Sequence, residues 1–160
     1  GCGNGDLLFK LSDKISQGIG IDNSQKQIEL ARKTKEKTGI SNLEFDINDI
    51  MAVTLSESTD YTIISLLLHL LPVDVSVKIL KEALVTSKNI IICDFCKPEN
   101  IKQNLLLNID QLFSGHYSNF RNFVSNGYTE GLLRKLEGIE IKQHKTFDPV
   151  IKIYEIRSIK

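Results

Sequence analysis

Two nearly continuous apolar runs, Tyr61 to Leu68 and Asn89 to Cys93, constrain the fold of this chain more than any other feature. A strand with one wet face alternates apolar and polar residues. A run that is apolar throughout reads as a strand buried on both faces. Helical patterns surround these runs. Leu7, Leu8, Leu11 and Ile15 recur at helical spacing, with Gly18 read as the end of that helix. Ser24 is placed to cap a helix from about Gln25 to Lys37, with Ile28, Leu30 and Ala31 on its apolar face and Gly39 closing it. Pro72 precedes a helix through Val77, Leu80, Leu84 and Val85, and another is read from about Ile101 to Phe113. Shorter strands are read at Ile19 to Asp22 and Leu43 to Asp46. Strand–helix alternation of this kind implies an α/β fold, a mostly parallel sheet with helices on both faces.

The pattern changes after Gly138. Ile139 and Ile141 alternate with polar residues, as do Ile151, Ile153 and Ile156 around Tyr154. This period of two predicts a C-terminal antiparallel hairpin, joined near Phe147, Asp148 and Pro149. Between the two regimes, Ser114 to Gly127 is polar and aromatic, and Thr129 to Leu136 is helical in pattern. The 160 residues suit a single domain, 1–160.

Composition argues against several function classes, although a local basic patch would still admit nucleic acid. Twenty basic residues cancel twenty acidic ones, so no overall field gathers nucleic acid or an anionic membrane. No apolar run is long enough to span a bilayer. Three cysteines, Cys2, Cys93 and Cys96, give no disulfide framework and fit a reducing, cytoplasmic setting. Cys93 and Cys96 form a lone CxxC that lacks two further zinc ligands, so no metal is expected. Oligomeric state is not legible.

The chemistry starts at Gly1-Cys2-Gly3-Asn4-Gly5. Glycines accept positive φ and let a ligand approach the backbone, and a following helix turns its positive end toward that ligand. Such loops follow a strand and none precedes this one, so the expectation is an N-terminally incomplete domain lacking its first strand. Asp22 ends the next strand about twenty residues on, where nucleotide-binding folds place a ribose-gripping carboxylate. Asp49 lies just beyond the following strand, at the edge where ligands collect.

GCGNG resembles the first motif of class I S-adenosylmethionine-dependent methyltransferases, which is spaced GxGxG. The dehydrogenase fingerprint GxGxxG would need a glycine where Asp6 stands. GIGIDNS is similar to the family's second motif, NLEFDINDI to its third, DYTIISLLLHLL to its fourth, and KNIIICDFCKP to the strand and turn that follow. The match in order runs from Gly1 to about Pro98, and the terminal hairpin fits as well. The resemblance implies a Rossmann-like three-layer sandwich that binds S-adenosylmethionine. Cofactor contacts would fall at Gly1, Cys2, Gly3, Gly5, Asp22, Asn23, Asp49, Ile50 and Ser65. The fourth motif lacks the Asn/Asp-Pro-Pro-aromatic signature of enzymes acting on base or glutamine amino groups, which argues against those subclasses; the expected acceptor is a small molecule, not nucleic acid.

His69 follows the apolar strand near the cofactor edge and is the candidate base, with capping of the strand–helix turn as the competing role. A base is needed only where the acceptor carries a proton to lose. The segment from about Asn108 to Tyr128 is expected to roof the acceptor, with His116, Tyr117 and Phe120 toward it, or else to pack as core. His144 reads as a surface residue. Two other classes stay open at this point: a dehydrogenase fragment, and a non-catalytic nucleotide-binding or protein-interaction domain on the same fold.

Overall fold

The computed structural model describes residues 1–50, 58–112 and 115–159, the side chains of 106 and 110–112 aside. They fall into two units, Gly1–Thr54 and Leu55–Lys160. The expected end of a helix at Phe113 lies outside the described residues.

The first unit runs α1 (Asp6–Leu11), β1 (Gly18–Asp22), α2 (Gln25–Thr38) and β2 (Leu43–Ile47). The strands are parallel, in register from Gly18 opposite Leu43 to Asp22 opposite Ile47. Ile28 and Ala31 of α2 pack on Leu43 and Phe45 of β2, with Leu8, Phe9 and Ile15 closing the cluster. Residues three apart on a helix share a face, so this pair defines the inner stripe. Leu30, expected on that stripe, is exposed. The helix after the glycine loop stops at Leu11, short of Gly18, which instead opens β1. The turn between them is held by the Asn42 amide, which donates to the carbonyls of Ser12 and Ile15 at 2.8 Å each.

The second unit contains β3 (Thr59–Ser65), a 3-10 turn at Leu68–Leu70, α3 (Val73–Thr86), β4 (Ser87–Phe95), α4 (Ile101–Leu112), α5 (Tyr117–Ser125), α6 (Tyr128–Leu133), β5 (Ile139–Lys145) and β6 (Ile151–Ser158). Its sheet has the order β3-β4-β6-β5. β3 and β4 are parallel, whereas β6 runs antiparallel to both β4 and β5. The mixed α/β fold with a terminal antiparallel hairpin is the one the sequence predicts. Ile64, Ile90, Ile92, Asp94, Tyr154 and Ile156 form the buried face. On the other face Tyr61 and Ile63 are exposed, so among the described residues β3 is buried on one face only, not on two.

α5 lies where the sequence shows only a polar and aromatic connection. Its Phe120 and Phe123 are four helical positions or fewer apart and both fully buried. Asn119 ties the helix to the 3-10 turn by donating to the Leu70 carbonyl at 2.7 Å. α6 begins at Tyr128 and ends at Leu133, shorter than the Thr129 to Leu136 pattern.

Candidate functional site

In the first unit the glycine loop is fastened to the end of β1. The Cys2 amide donates to the Ile21 carbonyl at 2.9 Å. The Gly3 amide donates to Asp22 Oδ2 at 2.8 Å, and the Ser24 amide to Asp22 Oδ1 at 2.8 Å. One carboxylate therefore fixes the loop on one side and the start of α2 on the other. Gly3 has φ +56°, and a Cβ placed on it would meet nothing within 4 Å. Gly5, at φ +82°, has no such freedom: a Cβ there would lie 2.5 Å from the Phe45 ring. Glycine is thus favoured at both positions for backbone conformation, but of the two only Gly3 borders open space.

β2 leaves at the same edge, because the Asn48 amide donates to the Asp22 carbonyl at 3.0 Å. Asp49 follows directly and is exposed, with Ile50 half-buried behind it. Asn23 is exposed beside Asp22. The Cys2 thiol is pushed up from its ordinary pKa, first by burial. These residues fit an adenosyl group. Each oxygen of Asp22 has accepted one backbone amide and retains lone-pair capacity for a ribose hydroxyl, and the amide-bearing loop offers room at Gly3.

In the second unit Ser65 ends β3, half-buried, opposite Cys93 of β4. The chain then turns sharply. Leu66 has φ 50°, and its amide donates to the Cys93 carbonyl at 2.8 Å. The turn is anchored from below by Asp94, a fully buried carboxylate. Asp94 Oδ2 accepts from the Leu68 amide at 2.9 Å, while Oδ1 accepts from the Phe95 amide at 2.8 Å and lies 2.7 Å from His69 Nδ1. A buried carboxyl group is tolerated only with such a set of hydrogen-bond partners.

His69 is 4% exposed. Its ring meets Phe95, Phe120 and Phe123 with centroids 4.6, 6.5 and 6.3 Å away. The sequence offers it as a base or as the cap of the turn; the ring is enclosed by aromatic rings and its Nδ1 is bonded to Asp94, so it also ties the turn to β4. Phe120, expected toward the acceptor or else as core, is fully buried and its ring packs against His69, Phe95 and Phe123. Tyr117 is half-buried at the start of α5, and His116 is exposed just before it. Asp94 is the residue sequence reasoning missed. Its only signal is an acid inside an apolar run, Ile90 to Phe95.

Behind this turn, Lys152 donates to Glu130 Oε1 at 3.1 Å. Burial, followed by the Glu130 carboxylate, pushes the Tyr154 hydroxyl far above the usual tyrosine range, so it stays protonated. Thr129 donates to the Phe95 carbonyl at 2.8 Å, joining α6 to the end of β4. Among the described residues no cluster of three or more His, Cys, Asp or Glu is arranged to hold a metal.

The model of a family described as a methyltransferase domain matches residues 1–146. The chain belongs to that methyltransferase family. Solved structures with the same fold agree. Magnesium protoporphyrin IX methyltransferase from Synechocystis PCC 6803 is similar over 99% of this chain and 71% of its own, with 19% identity and a TM-score of 0.67. Mitomycin 7-O-methyltransferase is similar over 99% and 47%, with 20% identity and a TM-score of 0.74. An rRNA methylase from Streptococcus thermophilus is similar over 100% and 84%, with 9% identity and a TM-score of 0.65. At these identities the likeness is one of fold. No helix among the described residues of this methyltransferase is long and apolar enough to cross a membrane.

Proposed function

We propose that this methyltransferase moves a methyl group from S-adenosylmethionine to a small-molecule acceptor, with both units acting as one domain. The single observation that carries the reading is the Gly3–Asp22 bond, which holds an amide-bearing loop with open space at Gly3 against a ribose-competent carboxylate. Gly1, Cys2, Gly3 and Gly5 form the loop; Asp22 with Asn23 serves the ribose; Asp49 and Ile50 serve the adenine; Ser65, in the second unit, is the further cofactor contact that the family resemblance implies. The family match over both units supports treating them as one domain.

The glycine loop and Asp22 would hold the cofactor, which would supply a methyl group already activated for transfer by its sulfonium. The protein's own work is alignment, which supplies a large share of the acceleration in reactions of this kind. His69 acts by holding the β3 exit turn through Asp94, and His116 and Tyr117 border the acceptor. The neutral charge balance favours a small molecule over a polyanion.

A thermal-shift comparison tests the class. S-adenosylhomocysteine at a hundred times its dissociation constant should stabilise the protein by about 2.7 kcal/mol, and NAD should not. A shift with NAD alone would replace this reading with the dehydrogenase one.

A further inference from the structure

Among the described residues, two that are not glycine adopt a left-handed backbone: Leu66 at φ 50° and Tyr128 at φ 59°. A side chain in this region meets its own backbone, so the conformation carries a steric cost. Tyr128 recovers that cost by packing. It is 6% exposed, and its ring stands 5.8 Å from that of Phe123. Leu66 recovers nothing comparable, since it is 43% exposed.

Leu66 is nevertheless held in place from both sides. Its own amide is bonded to the Cys93 carbonyl. Two and three residues on, the Leu68 amide and His69 Nδ1 are both gathered by the buried Asp94. Strain that is neither relieved by glycine nor repaid by burial, yet enforced by its surroundings, marks a position kept for function. The position also lies at the carboxyl end of β3, parallel to β4, which is the sheet edge where ligands bind in open α/β folds.

We propose that Leu66 is a specificity-determining contact for the acceptor, that the acceptor presents an apolar surface to it, and that Asp94 and His69 are the positioning residues that hold it there. This rests on the methyl-transfer reading above. The Leu66 side chain gives an apolar acceptor a surface to cover, and that contact is a share of binding, not of chemistry.

The test uses the full-length protein with S-adenosylmethionine and four probes: 1-naphthol, 1-naphthylamine, 2-naphthalenethiol and, as the polar comparison, glycine. The naphthalenes share an apolar body and differ in the nucleophilic atom. Formation of S-adenosylhomocysteine should be faster with at least one naphthalene than with glycine. Leu66→Gly should raise KM for that probe by about tenfold or more while kcat changes less than about threefold. Its melting temperature should not fall, because glycine relieves the backbone. Leu66→Asn, which accepts the same backbone but is polar, should raise KM in the same way. The inference is overturned if the wild-type protein methylates no naphthalene or prefers glycine, if KM is unchanged in both variants, or if both variants melt markedly lower. S-adenosylhomocysteine binding in the same samples separates the two layers. Without it the methyl-transfer reading fails and this inference with it; with it, any of those results removes this inference alone.

Discussion

Asp94 Oδ1 lies 2.7 Å from Nδ1 of His69, and both residues are buried. The two stand at the ends of parallel strands' connections, so one contact joins the exit of β4 to the turn after β3. His69→Ala would leave a buried carboxylate short of a donor beside a new cavity. We expect a loss of about 1–3 kcal/mol, the cost of leaving a buried hydrogen-bonding group without its partner, read by urea denaturation. His69→Asn restores a donor and should lose less. A loss below about 1 kcal/mol in His69→Ala would show the contact to be weak.

The same variant separates holding from proton transfer. With its fold intact, His69→Asn should retain turnover within about tenfold. A loss of about a hundredfold or more, the scale of general-base catalysis, together with disappearance of one limb of the pH–rate profile, would make His69 the base after all.

Phe120→Ala should destabilise the protein by about 3–5 kcal/mol, because its ring is fully buried against His69, Phe95 and Phe123. Tyr117→Ala, half-buried at the helix start, should cost less than about 1.5 kcal/mol and act on acceptor KM instead. Equal melting temperatures for the two variants would contradict the division between core and acceptor surface.

Alkaline pH should unfold the protein more readily than neutral pH. Burial is the largest cause raising the thiols of Cys2, Cys93 and Cys96 and the hydroxyl of Tyr154. In the unfolded chain thiols ionise from about pH 8.5 and tyrosine from about pH 10. Above those values the folded state binds more protons than the unfolded one, so stability falls as pH rises. Below them these groups contribute no slope. The melting temperature should therefore decline from about pH 8.5 upward, and Tyr154→Phe should flatten the part above about pH 10. A melting temperature that rises between pH 9 and 11 on the same scale would contradict the assigned burial.

What the sequence disclosed and what it hid have physical reasons. The glycine loop is legible because positive φ favours glycine, and Asp22 because it closes a short apolar strand at a fixed spacing after the loop. β1, β2 and the terminal hairpin follow from local periodicity. α5 was hidden because Asn, Ser, Tyr and Arg surround its two buried rings, Phe120 and Phe123, and leave little apolar stripe to see. Asp94 was hidden because its partners, Leu68 and His69, are a strand and a helix away in sequence. Leu66 was hidden more thoroughly, since leucine gives no local sign of a left-handed backbone.

The most direct measurement is the affinity of the full-length protein for S-adenosylhomocysteine, by calorimetry, in the wild type and in Asp22→Asn and Asp22→Ala. Asp22 accepts the Gly3 and Ser24 amides, so circular dichroism must first show each variant folded. Asp22→Ala should then weaken binding by about 1.5–3 kcal/mol, the range for a hydrogen bond to a charged group, and Asp22→Asn by less. Wild-type affinity in a folded Asp22→Ala would contradict the claim that Asp22 and the glycine loop hold the cofactor.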